Sequence, residues 1–205
     1  MKVIVVGCHG QMGQPICRFV DEREGMELVG GVGPAGRDYI GRDLGQVAGF
    51  GRDLGIPVIF KCNTSKMVNV MLKLVEIAAR ALVDETDIEI IDQHDRDKLD
   101  APSGTAVIIG NMIAELKGTT LDELAEYGRE GHGARKPGGV GFHSLRAGDI
   151  TSDHKVYFGG MGERLEITHY SYSDDCFARG AVDCAAYLQG KPAGVYSIKD
   201  VFDLR

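Results

Sequence analysis

No two cysteines in this chain have the C-x-x-C spacing, no apolar run is long enough to span a bilayer, and positive charge is in deficit. The five cysteines (Cys8, Cys17, Cys62, Cys176 and Cys184) are scattered and odd in number. Neither a disulfide framework nor a zinc ribbon is therefore expected. With no signal peptide read at the start, the expected setting is the cytoplasm, with reduced thiols. A formal charge of -7 over 205 residues excludes non-specific attraction to nucleic acid or to an anionic membrane surface. An anionic ligand must then be caught by local donors. His132, His143, His154 and His169 lack clustered ligand spacing, and His143 and His169 read as strand residues of the sheet. Asp95, Asp97 and Asp100 fail the calcium-loop pattern, because Leu99 and Asp100 stand where a ligand and a glycine are needed. No metal site is expected.

What is present begins with a strand run, Val3-Ile4-Val5-Val6, followed at once by Gly7-Cys8-His9-Gly10-Gln11-Met12-Gly13. A helix with Ile16, Cys17, Phe19 and Val20 comes next. Strand, glycine turn and helix in that order is the context of a dinucleotide fingerprint, here spaced G-x-x-G-x-x-G. A tight structural turn is the alternative reading. The next strand, 27–32, ends in Gly33-Pro34-Ala35-Gly36 rather than in an acid or arginine, so cofactor preference cannot be read from it. Gly41-Arg42-Asp43-Leu44-Gly45 and Gly51-Arg52-Asp53-Leu54-Gly55 form a short repeat that reads as loop. A strand over 56–60 leads to Asn63-Thr64-Ser65. A helix with apolar positions Val68, Met71, Leu74, Val75, Ala78 and Leu82 follows.

The densest chemistry lies in 92–105. A strand over 87–91 precedes it, and a helix pattern from Ala106 follows. Pro102 biases Ala101 away from helix, so the helix should start at about Ser103, a favoured capping residue. The backbone N–H groups of Ser103, Gly104 and Thr105 would then converge as an anion site. His94 and Lys98 would stand beside it. Beyond residue 140 the style changes: strands over 140–150, 155–158 and 165–172, then a helix over 177–188 and a tail over 195–204. An α/β part is thus followed by an α+β part on a mainly antiparallel or mixed sheet, whose exposed strands invite pairing with another copy.

These pieces, in this order, resemble the 4-hydroxy-tetrahydrodipicolinate reductase (dihydrodipicolinate reductase) family of the diaminopimelate route to lysine. The resemblance rests on the Gly7 to Gly13 turn, Asn63-x-Ser65, and the Asp100-Ala101-Pro102-Ser103-Gly104-Thr105-Ala106 string. It rests also on Gly128-Arg129-Glu130-Gly131, Gly162-Glu163-Arg164-Leu165-Glu166-Ile167-Thr168-His169 and Phe177-Ala178-x-Gly180-Ala181. It implies reduction by NADH or NADPH of a cyclic, dicarboxylated imine-type substrate, in a homo-oligomer (a tetramer) that uses neither nucleic acid nor membrane. It also implies that His94 and Lys98 are catalytic, the lysine supplying the proton. Ser103, Gly104 and Thr105 would bind a substrate carboxylate. Gly7, Cys8, His9, Gly10, Gln11, Met12 and Gly13 would hold the pyrophosphate, with Asn63 and Thr64 on the nicotinamide side near Lys61.

The chain departs from that family at three places. Asp95 replaces a second histidine in the substrate site, where it should repel a dianion. The cofactor-selecting positions fall on Gly33 and Pro34. A stretch between Val58 and Asn63 is missing, longer than one βαβ unit of ~30 residues, which implies an abbreviated Rossmann-like parallel sheet. The expected division is a dinucleotide-binding part over 1–64 with 185–205, and a substrate-binding and oligomerisation part over 65–184. The alternative function is a degenerate homologue that keeps the oligomerising sheet as a structural or regulatory partner, without productive dinucleotide binding.

Overall fold

The computed structural model describes residues 1–11, 13–33, 37–56, 58–60, 63–192, 194 and 196–205. The expectations placed on Met12, Pro34, Pro57, Lys61, Cys62 and Val195 lie outside the described residues. The chain divides into two compact units, Met1–Lys66 with Phe177–Arg205, and Met67–Cys176.

The first unit opens with β1 (Lys2–Val6), α1 (Gly13–Glu22), β2 (Glu27–Gly33), α2 (Leu44–Val47) and β3 (Val58–Phe60). The three strands are parallel and adjacent in sequence order. Val5, Cys17, Val20, Leu28, Leu44 and Val58 form the core between this sheet and its helices. The repeat read as loop divides: its first copy caps α2, where Asp43 Oδ1 accepts from the Gly45 amide at 2.7 Å. The same carboxylate accepts from Leu54 and Ile56 amides. One acid thus ties the two copies together, a long-range pattern invisible to local spacing.

The second unit holds α3 (Lys66–Leu82, entering from Lys66), β4 (Asp87–His94), α4 (Gly104–Leu116), α5 (Leu121–Leu124), β5 (Ala125–Tyr127), β6 (Val140–Arg146), β7 (Ser152–Gly159) and β8 (Arg164–Ser171). Its sheet is mixed, in the order β5-β6-β4-β7-β8. β4, β5 and β6 run parallel, whereas β7 is antiparallel to both β4 and β8. The short α5 and β5 were not expected from the sequence; β5 is three residues and carries no alternation to detect. Leu74 of α3 is exposed, while Val68, Met71, Val75 and Ala78 are buried as their spacing requires.

The core of this unit packs α3 and α4 on one sheet face. Ile88, Ile90, Val140, Phe142, Val156 and Phe158 meet Val75, Ile109 and Ile113. Burying each such side chain contributes about 1.5–3 kcal/mol. Register then places a polar row beyond the apolar ones: Ser144, Asp92, His154 and His169 lie side by side across β6, β4, β7 and β8. The chain returns to the first unit along α6 (Asp175–Leu188) and ends with α7 (Ile198–Val201). The expected boundary at 184 falls inside α6, whose Cys184 and Leu188 pack with Ile198.

Candidate active site

The polar row marks the site. β4 alternates strictly, with Ile88, Ile90, Asp92 and His94 all buried on the helix-covered face. His94 is therefore the last residue of a strand, not part of the loop read from the sequence. Asp92, 1% exposed, receives donors on both oxygens. His94 Nδ1 stands 3.1 Å from Oδ1 and Arg146 Nη1 2.8 Å from the same oxygen. Ser144 Oγ donates to Oδ2 at 2.6 Å, and the Ser103 amide donates to it at 3.3 Å. Burial alone would raise the Asp92 carboxyl, but these hydrogen bonds and the guanidinium outweigh it and hold the group well below the usual carboxylate range. The carboxylate is ionised and can only accept, so the proton of a neutral His94 sits on Nδ1.

α4 begins where expected. Ser103 is its N-cap, with Oγ accepting from the Ala106 amide at 3.3 Å. The three-amide cradle needs correction, however. The Ser103 amide is committed to Asp92, and its hydroxyl also meets His154 Nε2 at 2.9 Å. Ser103 thus builds the helix start, its amide and hydroxyl both engaged within the protein. Gly104 is exposed and a Cβ built on it would meet nothing within 4 Å, while Thr105 is buried. His154 lies edge-on to His94 with ring centroids 5.3 Å apart. Burial, then the neighbouring His94, pushes the His154 imidazole down to about 4.

The loop after β4 is tied to the end of β6. Arg146 Nη2 donates to the Asp100 carbonyl at 2.6 Å, and the Arg96 amide donates to Gly148 O at 3.2 Å. Lys98 Nζ pairs with the Asp100 carboxylate rather than with His94. Asp95 Oδ1 accepts from the Asp97 amide at 2.8 Å, closing a local turn. A groove of about 750 Å³ runs beside this region, lined by Ala101, Pro102, Tyr127, Arg129, His143 and Ser144. Asp92, Ser144 and Arg146 were not singled out in the sequence, and His154 was weighed only as a metal ligand. The available signal was an acid at an inward position of an apolar strand, which burial permits only with partners.

In the first unit the described residues of the glycine turn close tightly between β1 and α1. Gly7 has φ of +74°, and a Cβ on Gly13 would lie 2.0 Å from Gly7 O. The Gly10 amide donates to Gly7 O at 2.8 Å, and the first turn of α1 carries no acid. Glycines here let a phosphate approach the helix start. The Cys8 side chain is fully buried in the core, and the His9 ring stacks on Tyr39 with centroids 4.5 Å apart. Gln11 is exposed at the turn. A Cβ on Gly33 would come within 2.6 Å of Tyr39 Cε2, so a side chain there would have to displace the tyrosine ring. Asn63 and Thr64 line an apolar groove of about 540 Å³ with Ile4, Val6, Val32 and Phe177. Thr64 Oγ1 donates to Phe177 O at 2.7 Å, and Asn63 Oδ1 accepts from the Ser65 amide at 2.9 Å.

Residues 1–111 match the family described as "Dihydrodipicolinate reductase, N-terminus", and residues 67–202 that described as "Dihydrodipicolinate reductase, C-terminus". The chain belongs to the dihydrodipicolinate reductase family. It is 36% identical to the 4-hydroxy-tetrahydrodipicolinate reductase of Alkalilimnicola ehrlichii, over 99% of both chains. That alignment runs over 264 positions against the 205 residues here, so about 60 positions of the relative have no counterpart. To the 4-hydroxy-tetrahydrodipicolinate reductase of Pseudomonas fluorescens strain SBW25 it is 53% identical over 73% of this chain. The match spans 56% of that relative's length. The dihydrodipicolinate reductase fold is shared with the dipicolinate-bound enzyme from Paenisporosarcina sp. TG-14, at a TM-score of 0.55 and 21% identity over 98% of both chains.

Proposed function

We propose that this chain reduces 4-hydroxy-tetrahydrodipicolinate, a small cyclic dicarboxylate, to tetrahydrodipicolinate with NADH or NADPH, within diaminopimelate and lysine biosynthesis. The observation that carries this reading is the buried Asp92 carboxylate joining His94 to the Ser103-capped start of α4. A titratable ring and an anion-facing helix mouth are thereby set on one strand end, as the family's activity requires.

When bound, the dinucleotide would supply the hydride, and the substrate's hydroxyl leaves as water, so that one proton is consumed overall. The chain's own part is to hold the substrate and manage one proton. Gly104 and Thr105 at the start of α4 would take a substrate carboxylate, the helix dipole favouring the anion. Lys98 would exchange its Asp100 partner for the substrate and pass a proton to the ring nitrogen as that nitrogen grows basic. His94, with Nδ1 committed to Asp92, presents Nε2 to the same region. Asp95 lies beside it and opposes a dianion. The Gly7 to Gly13 turn would hold the pyrophosphate, with Asn63 and Thr64 on the nicotinamide side.

The test is turnover of either reduced nicotinamide with the hydroxy-imine dicarboxylate. His94→Ala and Lys98→Ala should each lower kcat by about 10²- to 10⁴-fold with an unchanged circular dichroism spectrum. Wild-type rates in both variants would refute the roles assigned. The missing 60 or so positions support a second reading, a homologue that keeps the sheet but binds no dinucleotide. Calorimetry separates the two: heat with NADH or NADPH supports the first, and silence with both supports the second.

A further inference from the structure

We infer that Asp92 is a positioning residue for this reaction: one buried carboxylate fixes both the ring of His94 and the mouth of α4. The inference rests on the reading of His94 as the group that faces substrate.

Three observations carry it. First, Asp92 is an ionisable group at 1% exposure on an inward position between Ile90 and His94. Burying a charge there is costly unless it is paired and hydrogen-bonded. Second, both oxygens are already used. Oδ1 faces His94 Nδ1 and Arg146 Nη1, and Oδ2 faces Ser103 N and Ser144 Oγ. No acceptor position is left for a substrate, so Asp92 acts through the residues it holds. Third, those residues come from different elements. His94 ends β4, Ser103 caps α4, and Ser144 and Arg146 belong to β6. Ser103 also reaches His154 of β7. The carboxylate is therefore the common anchor for the ring, the helix start and, through Arg146, the Asp100 carbonyl of the loop that carries Lys98.

The consequence for His94 is definite. With Nδ1–H donated to Asp92, Nε2 is the only ring nitrogen that can meet a ligand. Among the described residues, Asp92 from its own strand and His154 from β7 contact the ring, and Arg146 from β6 shares the Asp92 oxygen that the ring faces. A carboxylate in this position sets the tautomer, as the aspartate of a serine-protease triad does for its histidine.

Side-chain 15N NMR of the full chain, without cofactor or substrate, reads the tautomer directly. The neutral form of His94 should carry its proton on Nδ1. Asp92→Asn should move that proton toward Nε2, and should lower kcat by about 10- to 100-fold with KM changed far less. Ser144→Ala removes a different contact to the same carboxylate, and should cost stability while the Nδ1–H form persists. Finding His94 as Nε2–H in the unaltered protein overturns the proposal even if Asp92→Asn does not fold. An unchanged tautomer and pH–rate profile in a folded Asp92→Asn overturns it too. Absence of turnover in the unaltered protein with the Nδ1–H form present would instead sink the reductase reading and leave the positioning geometry standing.

Discussion

Burial holds the His154 ring neutral down to about pH 4, and this has a thermodynamic consequence for the whole unit. An unfolded chain takes up the proton near 6.5, so between pH 6.5 and 4 the unfolded state binds more protons than the folded one. Stability must therefore rise with pH through that window and fall on acidification. The shift is worth on the order of 3 kcal/mol at most. Asp92 acts in the same direction lower down: its contribution is complete above its ordinary value and is lost as pH falls below it. Urea midpoints should thus be lower at pH 4.5 than at pH 7.5. His154→Gln should flatten that difference, leaving a smaller slope from His169, which burial also lowers. An undiminished slope in the variant would place the titration elsewhere.

Among the elements, α4 sets two opposed effects against each other at Gly110. Glycine inside a helix costs about 1 kcal/mol relative to alanine, so propensity alone favours Gly110→Ala. Packing opposes it: a Cβ there would lie 2.5 Å from Phe142 Cζ and 2.8 Å from Leu121 Cδ1. Overpacking a close-packed core costs about 1–3 kcal/mol. The variant should therefore be less stable by roughly 1 kcal/mol, measured by chemical unfolding. A more stable Gly110→Ala would mean that α4 sits higher on β6 than described. Where α4 starts was legible in the sequence, because Pro102, Ser103 and Gly104 act within one turn. That β4 extends to His94 was not legible. Its last residues are polar, and they remain in the sheet because Ser103, eleven positions on, and Ser144, fifty-two positions on, satisfy Asp92.

For the molecule as a whole, the two edges of the mixed sheet differ. β5 is short, whereas β8 is eight residues long and exposes Leu165 and Tyr170. A long edge strand with apolar side chains in water is a template for pairing with another copy. We expect native mass spectrometry to show a species of four times the chain mass. Leu165→Lys should shift it to smaller species without loss of secondary structure. A monomer in the unaltered protein would refute pairing through β8. Among the described residues the parallel sheet of the first unit has three strands, the abbreviated form the missing stretch between Val58 and Asn63 implied.

Local order was determined by the sequence alone: the glycine turn between β1 and α1, the capped start of α4, the alternation of β8, and the family these belong to. Each depends on residues within a few positions of one another, where sterics and hydrogen bonding act without help from the fold. Only the tertiary structure decided what those residues do. Sheet register brought Asp92, Ser144, His154 and His169 into one row, committed the Ser103 donors to the protein itself, and turned Cys8 into the core. Register depends on which strands pair, and pairing is a property of the packed sheet, where a buried carboxylate survives only beside the partners that the fold delivers.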